Sequence, residues 1–249
     1  MDLGWIQAGF WGFFGGAALL LGAALGYYVK MPQKIIASIM GFGAGVLIAA
    51  ACFALIEEAF NLGGFDSTLF GFALGVLIFT AADIYLSKSG AKHRKTSDKN
   101  RIPDEYDENG TAIAFGAVLD GIPESVAIGL TIITGGLVSL ATVVAVFISN
   151  IPEGISSSVG MKKMGWKKRS IFGLWLLIAV ISGVASLAGY GILSKFPADV
   201  NAAILALASG ALLTMIADTM LPEAFSKTHE YTGLIVALGF ILSFILAMG

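Results

Sequence analysis

Long apolar runs, repeated along nearly the whole chain, constrain this sequence more than any other feature. A helix needs roughly 20 apolar residues to cross the hydrocarbon core of a bilayer. Eight stretches meet that length: about 5–29, 35–60, 67–87, 109–134, 138–160, 168–193, 199–225 and 231–248. The 249 residues are 57% apolar and only 13% charged, far from the balance of soluble domains. The 32 glycines fall largely within apolar runs, as in membrane helices. Composition excludes a disordered chain, and a net charge of −2 excludes a nucleic-acid module. The single cysteine, Cys52, lies in an apolar run and can form neither an internal disulfide nor a thiolate cluster. Residues 1–249 therefore read as one all-α integral membrane unit.

Basic residues orient it. Lys30 and Lys34 separate runs one and two. Lys88, Lys92, Arg94, Lys95, Lys99 and Arg101 separate three and four. Lys162, Lys163, Lys167, Lys168 and Arg169 separate five and six, and Lys227 separates seven and eight. Of the 15 basic residues only Lys195 falls on the opposite side. The positive-inside rule makes the crowded side cytoplasmic and both termini extracytoplasmic. Residues 88–108, charged in both signs and poor in apolar side chains, read as a flexible cytoplasmic loop. The first run lacks a basic n-region, so it reads as a span rather than a cleaved signal peptide.

Two internal echoes stand out. Gly45 to Glu58 and Gly210 to Glu223 have the same spacing, and both end Glu-Ala-Phe. They lie on oppositely directed spans, which points to an inverted repeat; chance in a low-complexity apolar sequence is the alternative. The second echo is Ile-Pro-Glu, at Ile122-Pro123-Glu124 in span four and Ile151-Pro152-Glu153 in span five.

A charge at the bilayer centre costs at least ~2.5–3.5 kcal/mol, so Asp120, Glu124 and Glu153 together cost roughly 8 kcal/mol or more if unpaired. No Lys, Arg or His lies between residues 110 and 161. The compensating charge must come from outside the chain, as a bound cation or as protons. Asp120 and Glu124, and likewise Ser149 and Glu153, stand four residues apart on one helix face. Pro123 and Pro152 free the carbonyls of Leu119 and Ile148, which is tolerated at mid-depth where backbone lines a cavity. Packing spans four and five face to face would gather these groups. The alternative is protonated carboxyls acting as polar glue between helices.

These residues resemble the ZIP (Zrt-, Irt-like protein) family of divalent metal transporters, whose signature is His-Asn-x-x-Glu on span four with a related Pro-Glu motif on span five. Pro123 and Glu124 match the first; Asn150, Pro152, Glu153 and Gly154 match the second. Leu221-Pro222-Glu223-Ala224 and the glycine-rich start of span two add to the resemblance, which covers essentially the whole chain. It implies eight spans with an inverted 3 + 2 + 3 repeat, both termini outside, and a cell-membrane location. It also implies that spans one, four, five and six carry the substrate, while spans two, three, seven and eight form a scaffold and homodimer interface. The cargo would be a divalent cation (Zn, Mn, Fe or Mg) moved towards the cytoplasm by alternating access, without a prosthetic group.

The departures are informative. Asp120-Gly121 stands where the family has His-Asn, Ser149 where span five usually has His, and Ser186 at a span-six position that commonly holds Glu. The implied metal ligands are thus oxygen-only: Asp120, Glu124, Ser149, Asn150, Glu153 and Ser186. Carboxylates and carbonyls suit Mn²⁺ and Mg²⁺, where imidazole favours Zn²⁺.

Other features are weaker. His93 and His229 read as loop residues. Asp83 and Asp218 could line an exit, or be structural. Glu57 and Glu58 could draw in cations, or sit in the headgroup layer. Met215 and Met220 read as core packing. Trp5, Trp11, Tyr27 and Tyr28 fit interfacial belts. No Gly-x-Ser-Gly with an intramembrane His, no Gly-x-Gly-Asp around Asp120 and no P-loop is present, so neither an intramembrane protease nor an ATP-driven pump is expected. The remaining rival is a ligand-depleted accessory or metal-sensing membrane protein.

Overall fold

A computed structural model describes residues 4–88, 110–135 and 139–248. Its elements are α1 (Gly4–Tyr28), α2 (Gln33–Ala49), α3 (Glu57–Leu86), α4 (Gly110–Gly135), α5 (Leu140–Lys163), α6 (Lys168–Leu193), α7 (Ala198–Met215), α8 (Leu221–Thr228) and α9 (Thr232–Met248). π-helical turns join α2 to α3 (Ala50–Ile56) and α7 to α8 (Ile216–Met220), and a 3-10 turn (His229–Tyr231) joins α8 to α9. No strand occurs among the described residues. Apart from Lys88, the expected loop 88–108 lies outside them.

Six helical runs are long and apolar enough to cross a membrane. Two far exceed one crossing: Gln33–Leu86 has 54 residues and Ala198–Leu246 has 49. At ~1.5 Å per residue each would reach roughly 70–80 Å if straight, more than twice a hydrocarbon core of about 30 Å. Both are broken. Gly64 takes φ 71° and ψ −170°, a conformation only glycine adopts without strain. His229 takes φ 44° and ψ −115°. Each of these two long runs is therefore divided by a sharp bend.

Packing registers give the helix directions. Gly71 lies against Ala203 and Gly75 against Leu207, so α3 beyond its bend runs parallel to α7. Gly41 lies against Ile235 and Gly45 against Val236 and Phe240, so α2 runs parallel to α9. Gly41 also meets Ala224 while Gly43 meets Met220, so α2 runs antiparallel to the α7–α8 segment. Gly22 and Gly26 of α1 climb alongside Ile151 and Ile155 of α5 in parallel; Gly9, Gly12 and Gly16 descend along Leu187, Ser186 and Ser182 of α6 in antiparallel. Gly121 and Gly129 of α4 track Ser182 and Ser186 of α6 in parallel.

These contacts form two sets. One joins α1 with α5 and α6, and α6 with α4; the other joins α3 with α7, and α2 with α8 and α9. α2 packs on α5 about as extensively as on α8, and α4 packs on α7, so the sets are joined. The pattern maps onto itself when α1 exchanges with α6, α2 with α7, the far part of α3 with α9, and α4 with α5. The exchange holds residue by residue. Gly45 meets the Val236 carbonyl as Gly210 meets that of Phe72, and Gly239 meets the Phe42 carbonyl as Gly75 meets that of Leu207. The two π-helical turns and the two bends fall at matching places. The Gly45/Gly210 echo in the sequence thus marks a repeat in the packing.

Small residues set this arrangement. In lipid, helices gain little by burying apolar surface against one another, and association rests on close backbone approach. A Cβ at Gly45, Gly75, Gly210 or Gly239 would strike a facing carbonyl. The main apolar cluster lies mostly in the α2, α3 and α7 set, with Met40, Leu47, Phe79 and Leu205 alongside Met215 and Met220, and takes in Leu130 of α4 and Leu193 of α6. The two methionines are thus core residues. A smaller cluster around Leu19, Ile171, Trp175 and Ile178 joins α1 to α6.

Candidate functional site

The two Pro-Glu helices are positioned from outside themselves. Ser139 caps α5, its hydroxyl accepting from the Thr142 amide at 3.2 Å. At the other end, Gly165 (φ 86°) closes a Schellman turn. There the Trp166 amide donates to Met161 O at 3.0 Å and the Gly165 amide to Lys162 O at 3.2 Å. Midway, the Pro152 ring lies against Gly43 of α2, while Gly22 of α1 lies against the Ile151 carbonyl and Gly154. In α4, Gly129 lets the Ser186 backbone of α6 come close, and Gly121 faces Ser182.

Every expected ligand is buried. Asp120, Glu124 and Glu153 are 3%, 2% and 5% exposed, and Ser149, Asn150 and Ser186 are similarly enclosed. Their surroundings differ. Asn150 turns towards α1, its Nδ2 donating to Gly15 O at 3.0 Å. Ser149 donates to Val146 O within its own helix at 2.9 Å. Ser125, beside Glu124, donates to Gly121 O at 2.7 Å. Ser186 packs against Gly12 of α1, and its buried Oγ has no hydrogen-bond partner among the described residues.

Between α4 and α5, which the sequence expects to pack face to face, close backbone approach is limited. α4 and α5 share little direct contact, since α4 packs on α6 and α7, and α5 on α1 and α2. Nor do three His, Cys, Asp or Glu side chains converge as a metal-holding group among the described residues. The physical reason lies in the glycine seams. Gly22 and Gly26 allow α1 to approach α5 at backbone distance, and Gly129 does the same for α4 and α6. Gly121 and Gly129 of α4 face α6, and Gly154 of α5 faces α1. Each carboxylate helix is thus held by its outer neighbour.

One buried carboxylate lies outside the expected set. Glu223, at the start of α8, is 4% exposed, and its Oε1 accepts from Ser156 Oγ at 3.4 Å. Ser149, Asn150, Glu153 and Ser156 recur at three- and four-residue intervals, a polar line down α5 that ends at Glu223. In the sequence only the Glu-Ala-Phe echo points to Glu223; nothing there marks Ser156. Its matching residue, Glu58, is only half-buried.

Chemically, the arrangement is a set of buried oxygen ligands in a segment, 110–161, that contains no Lys, Arg or His. An apolar helical bundle with such a segment is a membrane protein that carries acidic side chains in its interior. Comparison with known proteins identifies the class: residues 92–247 match the family model described as ZIP Zinc transporter. The chain belongs to the ZIP zinc transporter family, and it is a multi-pass membrane protein rather than an enzyme. It is 27% identical over 262 residues to the zinc transporter ZIPB of Bordetella bronchiseptica, covering 94% of this chain and 78% of that protein. It is 29% identical over 237 residues to the zinc transporter ZupT of Lysinibacillus sphaericus, covering 87% of each. The ZupT of Salmonella arizonae is 27% identical over 221 residues, covering 84% of this chain and 83% of that protein.

Proposed function

We propose that this chain is a secondary transporter that moves divalent cations towards the cytoplasm, with a transient binding site shared by α4 and α5. The observation that carries this reading is the pair of proline-containing helices with buried Asp120, Glu124 and Glu153 in a segment devoid of basic side chains. A divalent ion supplies the charge that this segment lacks. The ligands are Asp120, Glu124, Asn150 and Glu153, with the hydroxyls of Ser149 and Ser186. Such an oxygen-only set favours harder cations, Mn²⁺ or Mg²⁺, more than a histidine site would, and still accepts Zn²⁺. Glu223, reached through Ser156, is the next carboxylate along the polar line of α5 and takes the ion onward.

The proposed transporter crosses the membrane eight times with both termini outside and works by alternating access. The registers of α2, α3, α7 and α9, with bends at Gly64 and His229, fit four crossings in the two long runs. The division of contacts into α1/α4/α5/α6 and α2/α3/α7/α8/α9 fits a carrying set that shifts against a scaffold. The separation of α4 from α5 belongs to one state of that cycle, and metal draws the two together.

The same separation favours a second reading, a ligand-depleted sensor or accessory protein. Uptake into proteoliposomes separates the two. Zn²⁺, Mn²⁺, Fe²⁺ and Mg²⁺ are offered side by side to wild type, Glu124→Gln and Glu153→Gln. Uptake that both substitutions abolish, with Mn²⁺ moved comparably to Zn²⁺, supports transport. Folded protein that moves none of them supports the sensor, and strict Zn²⁺ selectivity overturns the preference for harder ions.

A further inference from the structure

A cleft of about 470 Å³ opens between α7 and the part of α3 beyond its bend, away from the α4 and α5 carboxylates. Phe70, Leu74, Ile204 and Leu207 wall it, and Asp66, Ser67 and Asp199 stand at one end, where both helices begin. Phe70 is 67% exposed on the bundle's apolar outer surface. The site thus combines an apolar channel open to the bilayer with two exposed carboxylates at its mouth.

The internal repeat shows what is unusual here. By the registers that pair Gly45 with Gly210 and Gly75 with Gly239, Asp199 matches Lys34, Asp66 matches Glu230, and Ser67 matches Tyr231. In the α2/α9 half, the Lys34 ammonium lies 5.7 Å from the centre of the Tyr231 ring. That mouth carries a cation and an aromatic ring of its own. In the α3/α7 half, a second carboxylate replaces the cation and a serine replaces the ring. Asp199 in the first turn of α7 also suits the helix dipole, but the dipole does not account for an open apolar channel below it.

We propose that this cleft binds a phospholipid with a primary-amine headgroup. The ammonium takes the place that Lys34 holds in the other half, donating to Asp66 and Asp199, while an acyl chain lies along Phe70, Leu74, Ile204 and Leu207. A primary ammonium has three N–H donors and forms charge-assisted hydrogen bonds with carboxylates. A quaternary ammonium has no N–H to donate. A hydrated metal ion would satisfy the carboxylates but leave the apolar walls unfilled, and an anionic headgroup would be repelled. On the topology proposed above, the headgroup lies in the outer leaflet.

Native mass spectrometry of the full-length, delipidated chain tests this independently of transport. The probes are phosphatidylethanolamine, its N-methyl and N,N-dimethyl forms, phosphatidylcholine and phosphatidylglycerol, all with identical acyl chains. The expected result is retention of phosphatidylethanolamine several-fold above phosphatidylcholine, falling with each added methyl. Asp66→Asn/Asp199→Asn and Ser67→Tyr should each remove that preference; the double Asn variant should also raise phosphatidylglycerol retention, and Ser67→Tyr should leave it unchanged. Equal retention of ethanolamine and choline lipids would overturn the proposal, as would a preference that survives both variants. Displacement of phosphatidylethanolamine by excess Mn²⁺ would make the mouth a cation site instead. Dimerisation that excludes the lipid would make the cleft a protein interface.

Discussion

The scaffold seams and the two Pro-Glu helices solve opposite problems. Between α2 and α9, and between α3 and α7, glycines let backbone meet backbone, and a single added carbon would collide with a carbonyl. Between α4 and α5 there is little direct contact, each helix carries a proline, and the polar side chains are buried. Close small-residue packing holds helices in one register. Freed carbonyls and buried carboxylates are costly unless something occupies them. The difference separates seams fixed by backbone packing from the pair of helices that carries the proposed cargo site.

The largest effect should come from Glu124→Gln and Glu153→Gln. Each should reduce metal uptake to background while melting temperature stays level or rises, because the amide avoids the desolvation cost of a buried carboxylate. A parallel loss of folding and uptake would erase the contrast between centre and scaffold.

Gly45→Leu and Gly210→Leu should act in the reverse sense. Both overpack a seam at a facing carbonyl, so each should cost about 1–3 kcal/mol or more. Repeat-related positions should suffer alike. Thermal unfolding in detergent measures the loss, and uptake per folded molecule should change little. Uptake that fails in a fully stable variant would show that the scaffold moves.

Asn150→Ala sharpens the comparison at the join, because Asn150 is a candidate ligand that donates to Gly15 O of α1. Losing that bond should cost roughly 1–3 kcal/mol and lower uptake only in part. Equal damage to uptake from Asn150→Ala and Glu153→Gln would place Asn150 among the indispensable ligands.

The smallest effect should be that of Ser156→Ala, which removes the 3.4 Å contact with Glu223. A loss of about 1 kcal/mol or less and slower uptake at unchanged apparent metal affinity are expected. Glu223→Gln should slow uptake more. Weakened metal affinity in either variant would move Glu223 from the onward route into the binding site itself.

Much of this was legible in the sequence. Apolar runs exposed the helices because a bilayer imposes a minimum length. The paired Ile-Pro-Glu motifs exposed the buried carboxylates because a charge without a basic partner is conspicuous in such runs. The Gly45/Gly210 echo pointed to the repeat. Other features were hidden. Gly64 lies in a Gly-Gly pair that reads as an ordinary loop, and no local pattern distinguishes a sharp bend there. The partners of α4 and α5 depended on which glycines face which carbonyls, and that is a property of pairs of helices rather than of one. Asn150 was placed with the ligands by its motif, while its amide was claimed by α1 at Gly15. Ser156 was overlooked because a lone serine carries no signal until Glu223 is seen beside it.

The central claim is that a metal ion is held by carboxylates from both α4 and α5. X-ray absorption spectroscopy of Zn²⁺ bound to the purified chain tests it most directly. The predicted spectrum is an oxygen shell at roughly 2.0–2.2 Å that weakens or disappears in both Glu124→Gln and Glu153→Gln. An imidazole scattering pattern, for which only His93 and His229 are available, or a shell unchanged in either variant, would contradict it.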